Sequence, residues 1–320
     1  MLNKYSERYS RQELVLGKAK QKKLEKSTVA IVGVGALGTV ASELLTRAGV
    51  GKLILIDRDV VEESNLHRQL LFTEKDIGKS KAKVAEEKLN AINSSVRIDS
   101  YAVHLNLEKL SLLKEADLIL DCTDNLKTRF LLNDFCRKEK ITWIYASGIR
   151  TEGYVMPIFP RGPCLRCFLR EANLETCDTA GVLNTITTSI AALQTTPAIK
   201  VLIGEKVEPC LYHLNLNRME LKKIKINKNP NCPTCHGDYQ FLNQKEEPLT
   251  KFCSAGKYQL TGKKVNLKEI KMRWSKSGKV IDDGIALRFG KIILFEDGRV
   301  LIKAKTEEEA RSIYGKWVGE

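Results

Sequence analysis

Residues 28–57 constrain this chain more than any other stretch. They read Thr28-Val-Ala-Ile-Val-Gly-Val-Gly-Ala-Leu-Gly38, then an Ala/Leu-rich run, then Leu53-Ile-Leu-Ile-Asp57. The apolar run Val29–Val32 has the length and β-branched content of a buried strand. Gly33, Gly35 and Gly38 follow with G-x-G-x-x-G spacing. In that motif the first glycine makes a tight turn, the second lets a phosphate approach the backbone, and the third lets the next helix sit close to the strand. A helix over about 36–48 would aim its N-terminal amides at the phosphate, and Gly49 would stop it. Asp57 ends the second strand, where a carboxylate can accept hydrogen bonds from a ribose. Glycines also mark ordinary turns, so the spacing alone says little. Strand, helix, second strand and acid in register point to a nucleotide without naming it.

The rest of the chain extends the same alternation. A helix opening near Ser80, a strand over 96–103, a short helix over 107–114, buried strands at 116–120 and 141–146 and a helix over about 126–138 predict an open α/β sheet. The expected fold is α/β: a doubly wound, mostly parallel Rossmann-like sheet with a zinc-bearing segment and a small C-terminal α+β domain. The expected division is 1–243 and 252–320 with a polar linker between. In the tail, Asp297-Gly298 between two apolar runs reads as a hairpin, and Thr306 with Glu309 as a capping box before a last helix. Residues 182–203 read as a long apolar helix that Pro197 should kink.

Composition narrows the setting. The chain has 320 residues, enough for a large domain plus a small one, and its 43% hydrophobic content allows a sizeable core. No run of eighteen apolar residues occurs and the first eleven residues are polar, so neither membrane nor signal peptide is expected. Nine cysteines, an odd count with two C-x-x-C pairs, suit metal ligation or catalysis in a reducing cytoplasm better than a disulfide framework. The net charge of +14 is spread along the chain, with a local cluster at Lys222, Lys223, Lys225 and Lys228. No aromatic-interleaved basic stripe accompanies it, so nucleic acid is not the expected partner. A solvated basic surface, an acidic protein partner or nucleotide phosphates account for it.

Two sets of residues carry chemistry. The first surrounds the glycine loop: Asp57, Asp59, Asn65, Arg68, Gln69, Lys81 and Asp124. Taken singly, Asp59 and Arg68 read as a surface ion pair and Lys81 as a solvated helix residue. Together they offer two cations for a triphosphate and a hard oxygen ligand for Mg²⁺. That is what displacement at an α-phosphate needs, because charge grows on the phosphoryl and pyrophosphate oxygens. The second set is Cys164, Cys167, Cys232 and Cys235, two C-x-x-C pairs fit for a tetrahedral thiolate Zn²⁺ site. Four sulfurs close the shell, so the metal would be structural. His236 beside them reads as an onlooker.

Gly33-x-Gly-x-x-Gly38, Asp57-x-Asp59, Ser64-Asn-Leu-His-Arg-Gln69, Lys79-Ser-Lys81 and Asp121-Cys-Thr-Asp-Asn125, with Arg8-Tyr-Ser-Arg11-Gln12 near the start, resemble the ThiF/MoeB/HesA family. These are bacterial and archaeal relatives of ubiquitin-activating enzymes. The resemblance runs from about Tyr9 to Cys235. It implies ATP-dependent adenylation of the C-terminal glycine of a ubiquitin-like sulfur carrier ending in Gly-Gly, with release of pyrophosphate. Such carriers serve thiamine, molybdenum cofactor or tRNA thiolation pathways. Carried over by position, Asp57 should hold the ribose. Asn65, Arg68, Gln69 and Lys81 should hold the phosphates, and Asp124 the Mg²⁺. Arg11 should reach the phosphates bound by a neighbouring subunit, which implies a homodimer. The resemblance also implies the structural zinc, and places a thioester- or acyl-disulfide-forming cysteine at Cys177 in Cys-x-x-Ala-Gly-Val. Cys122, Cys136, Cys210 and Cys253 read as structural. Some relatives end in a sulfur-delivering rhodanese domain; this tail is too short and lacks a suitably placed cysteine. The tail's role stays open; a docking surface for the carrier or for a sulfur donor, a sulfurtransferase, is one hypothesis. An enzyme that adenylates or dehydrates a carboxylate on modified tRNA, or a non-catalytic carrier-binding scaffold, are the alternatives.

Overall fold

The computed structural model describes residues 7–170, 180–243, 249–251, 257–282 and 284–319. Strand β1 (Thr28–Val32) lies at the centre of the five parallel strands of an eight-stranded sheet. On one side it pairs in parallel with β2 (Lys52–Ile56), which pairs with β3 (Arg97–Tyr101). On the other it pairs in parallel with β4 (Leu118–Asp121), followed by β5 (Thr142–Ile149). Three antiparallel strands then extend the sheet: β6 (Glu152–Ile158), β7 (Cys210–Asn215) and β8 (Glu220–Lys225). The inner parallel strands are covered on both faces, so β1, β2 and β4 are nearly continuous apolar runs, whereas the edge strand β3 alternates. Val29, Ile31, Leu53 and Leu55 bury themselves on one face, Ala30, Val32, Ile54 and Ile56 on the other.

Helices α3 (Ala36–Ala48) and α4 (Lys81–Ile92) join the first crossovers, and α5 (Leu126–Glu139) joins β4 to β5. The lysine-rich start is helical, as expected, but forms two short pieces, α1 (Ser10–Leu16) and α2 (Lys18–Leu24), separated at Gly17 with φ +81°. The long apolar helix is α6 (Asn184–Leu202), and it continues through Pro197. Ser80 takes the N-cap position of α4 without making a side-chain cap hydrogen bond. Residues 107–113 form a 3-10 helix rather than an α-helix.

The second sheet is antiparallel throughout. It begins earlier than composition suggested, because β9 (Leu249–Lys251) falls inside the expected linker and pairs with β10 (Lys257–Thr261). The hairpin at Asp297-Gly298 forms between β13 (Ile292–Phe295) and β14 (Arg299–Lys303), beside β12 (Ala286–Phe289) and β11 (Ile281–Asp282). Two helices complete the unit, α7 (Leu267–Ser275) and α8 (Glu307–Trp317). Thr306 Oγ1 caps α8 by accepting from the Glu309 amide, whereas the Glu309 carboxylate reaches the Lys305 amide. This unit has its own core around Trp274, Leu287, Leu294 and Ile302. A small cluster of Ala286, Phe295 and Leu301 packs with Val60, just beyond β2.

Candidate active site

The carboxyl ends of β1, β2 and β4 lie level, since Val32 pairs with both Ile56 and Asp121. The chain leaves β1 in one direction toward β2 and β3, and later in the other toward β4 and β5. Ligands of open α/β sheets bind where the strand order reverses in this way. A solvent-open cleft lies there, lined by Gly33, Gly35, Asp57, Asp59, Asn65 and Arg68, with Gln69, Lys81 and Asp124. Nine residues that the sequence scatters over ninety positions therefore share one wall.

The glycine loop is built as its spacing predicts. Gly33 has φ +91°, and a Cβ there would meet the Cys122 carbonyl oxygen at 2.6 Å. A Cβ on Gly38 would fall 1.9 Å from the Gly33 carbonyl oxygen, so no side chain fits between loop and helix. Gly38 thus serves packing and does not line the cleft. Gly35 is the N-cap of α3, whose amides open toward the cleft.

Asp57 ties the loops together. One carboxylate oxygen accepts from the Val34 amide at 2.6 Å and the other from the Asp59 amide at 2.7 Å. Burial pushes its carboxyl above the ordinary range, and the Lys81 ammonium opposes that rise. Each oxygen keeps a lone pair for a ribose hydroxyl. Lys81 is the first residue of α4; its side chain is only 8% exposed, with Nζ 3.8 Å from the Asp59 carboxylate. Arg68 is half-buried and bonds the Ser64 carbonyl at 2.8 Å. Asn65 and Gln69 are buried, and Gln69 Oε1 is a buried atom without a hydrogen-bond partner. Asp124 is exposed at the mouth. One carboxylate beside substrate phosphates is a usual Mg²⁺ arrangement, so the donor set fits that ion. Arg11 stands exposed on α1 and is not among the residues lining this cleft. Cys177 lies outside the described residues.

Several residues in or behind the cleft wall carry no sequence motif. Arg129, in the first turns of α5, is buried beside the fully buried Asp121, with Nε 3.3 Å from its carboxylate, and it bonds the Ala146 carbonyl. Gln194 of α6 donates to the carbonyls of Asp121 and Ile144 at 2.9 Å each, closing the ends of β4 and β5. His104 Nδ1 lies 3.1 Å from Arg58. Desolvation of its ring, followed by the nearby Arg58 and Arg299 charges, depresses the His104 pKa to about 3. The ring is therefore neutral at working pH, and with Nδ1 accepting from Arg58 its proton sits on Nε2. An unfolded chain binds this proton near pH 6.5 and the folded one does not, so stability falls as pH drops from about 6.5 toward 3. His104→Gln is expected to remove that component, up to about 1.4 kcal/mol per pH unit, from acid-limb denaturation curves.

The four cysteines also meet. Their sulfurs all lie within 4.8 Å of one another, with separations of 3.4 Å (Cys164–Cys232), 3.9 Å (Cys164–Cys167) and 3.6 Å (Cys167–Cys235). A tetrahedron of Zn–S bonds has edges of about 3.8 Å, so the cluster fits Zn²⁺. Burial raises the Cys164 thiol; burial acts the same way on Cys235, but the Arg137 guanidinium, 2.9 Å from its sulfur, draws that thiol below its ordinary value. Helix α5 holds the frame: Asn133 accepts from the Leu165 amide, and Asp134 from Thr234 and the Phe241 amide. His236 turns toward the Pro230 carbonyl and takes no part. Cys122 and Cys136 are fully buried, with thiols raised by burial.

These features define a class: a doubly wound α/β nucleotide-binding fold with antiparallel strands added at one edge and a four-cysteine cluster beneath. The chain belongs to the ThiF family, whose sequence model matches residues 9–234. It is 36% identical to the sulfur carrier protein ThiS adenylyltransferase of Bacillus subtilis, over 98% of this chain and 99% of that one. It is 34% identical to the SAMP-activating enzyme E1 of Haloferax volcanii, over 72% of this chain and 88% of that one. Among solved structures it is similar to Escherichia coli MccB in a crystal structure with ATP, with TM-score 0.64, 25% identity and coverage of 73% and 75%. No helix among the described residues is long and apolar enough to cross a membrane.

Proposed function

We infer that this chain is an ATP-dependent adenylyltransferase acting on the C-terminal glycine of a small ubiquitin-like sulfur carrier. The observation that carries the reading is the gathering of Asp57, Asn65, Arg68, Gln69, Lys81 and Asp124 around one glycine loop. Full-length similarity to a ThiS adenylyltransferase supports it. The carrier's terminal carboxylate is already ionised, so no strong general base is needed. A carboxylate oxygen forms a bond to the α-phosphorus, the bond to the β-phosphate oxygen breaks, and pyrophosphate leaves. Asp57 orients the ribose; Asn65 and Gln69 hold phosphate oxygens; Arg68 and Lys81 meet the growing charge. Asp124 would hold Mg²⁺, which would neutralise the triphosphate.

The same reading includes a homodimer in which Arg11 of one subunit completes the partner's cleft, Zn²⁺ on the four cysteines, and a reducing cytoplasmic setting. It also assigns Cys177 a covalent role after adenylation. Thiolates at the metal cluster suit such a compartment. The decisive experiment is Mg²⁺-dependent exchange of labelled pyrophosphate into ATP, with carriers ending in Gly-Gly. Exchange is expected with a cognate carrier and absent when its terminal glycine is removed. Exchange driven by tRNA instead, with full activity in Cys177→Ala, would favour the tRNA-modifying alternative.

A further inference from the structure

Arg299 opens strand β14 of the C-terminal unit, yet its guanidinium ends behind the wall of the nucleotide cleft, against residues that line it or stand next to those that do. It is 2% exposed. Nη1 donates to the Arg58 carbonyl at 2.6 Å and Nη2 to the Ala102 carbonyl at 2.7 Å. Its guanidinium carbon lies 3.8 Å from the centre of the Phe295 ring, and Nε is 3.7 Å from the Asp297 carboxylate. A buried cation with its nearest carboxylate at that distance is expensive to desolvate. The fork therefore makes sense through what it grips.

Arg58 is the second residue after β2 and Ala102 the first after β3, so the two carbonyls lie just past the ligand-facing ends of neighbouring parallel strands. One residue before the first stands Asp57; just after the second come Val103, His104 and Leu105, all lining the cleft. The Arg58 side chain then bridges to His104. The apolar contact of Phe295 and Leu301 with Val60 holds the same loop.

We propose that Arg299 is a positioning residue of the nucleotide site, fixing the spacing between the Asp57 loop and the His104 wall from the C-terminal unit. The proposal rests on reading the cleft as the ATP site. It makes the tail a support behind one wall of that site, beyond any docking role. Two charge-assisted hydrogen bonds to two separate loops are geometrically specific to a guanidinium, because a lysine ammonium cannot fork across both.

The test uses the full chain carrying Arg299→Met. Without nucleotide, amide hydrogen exchange over residues 58–61 and 101–105 is expected to rise about tenfold, with the remaining sheet unchanged. The KM for ATP in pyrophosphate exchange is expected to rise about tenfold while kcat stays within about twofold. Arg299→Lys should restore one loop and about half of the lost affinity on a logarithmic scale. Should the methionine variant not fold, the lysine variant decides: loosening of one loop with raised KM supports the assignment. Wild-type exchange protection in both loops together with unchanged KM overturns it. If the wild-type protein handles no ATP at all, the functional reading fails, while the amide-exchange measurement still judges Arg299.

Discussion

Replacing Lys81 with methionine is expected to lower carrier-dependent pyrophosphate exchange about a thousandfold, chiefly in kcat, and to lower the melting temperature measurably. The ammonium sits at the start of α4 with its side chain 8% exposed, where water screens it poorly. Its Asp59 partner is 3.8 Å away, so the charge is not consumed by a close ion pair and is available to phosphate oxygens. Negative charge that grows on the transferring and leaving groups is worth about 3–4 kcal/mol per well-placed donor in such a site. Stability should fall as well: methionine has similar length, but removing the ammonium leaves the buried Asp57 carboxylate without its nearby cation. Arg68→Met should cost far less, about tenfold, because Arg68 is half-buried and already bonded to Ser64. The pH profile supplies a second readout. Lys81 opposes the burial that raises the Asp57 carboxyl, so its removal should move the acid limb of activity to higher pH. Single-turnover measurements that found Lys81→Met within tenfold of wild type would remove the cation from the mechanism.

How much of this was readable beforehand depends on whether a contact is local or distant in sequence. The glycine loop was legible because its constraints are steric and lie within eleven residues, from Thr28 to Gly38. The buried parallel strands were legible because both faces are covered and the apolar runs are unbroken. The four cysteines could be paired from spacing alone because few other residue patterns have that chemistry. Arg129 was missed for a different reason. An arginine in the first turns of a helix looks like a solvated residue, and only the fold brings Asp121 and the end of β5 around it. Gln194 is equally silent inside an apolar helix, though it closes two strand ends 50 and 73 residues away. Arg299 lies 241 residues from Arg58, and nothing in the tail's pattern of alternation says that one of its buried side chains serves another unit. The expected linker missed β9 because a three-residue strand among polar neighbours has no detectable period.

The cysteine cluster should matter for the fold and leave nucleotide chemistry almost untouched, and the two effects can be separated. Cys232→Ser, or removal of the metal by a strong chelator in mild denaturant, is expected to lower the melting temperature by about 10 °C or more. Residues 164 and 235 bracket β7, β8 and α6, so a metal held by all four cysteines would close a long loop and tie the antiparallel strands to α5 through Asn133 and Asp134. Without it, the four cysteines would lose their common partner. None of the four sulfurs lines the nucleotide cleft, and a shell of four thiolates leaves no position for substrate. The KM for ATP should therefore stay within about twofold below the new melting transition. Elemental analysis is expected to find one zinc per chain, lost in step with the stability. A metal-free protein that melts at the same temperature, or chelation that halts exchange while the fold persists, would refute a structural role for this centre.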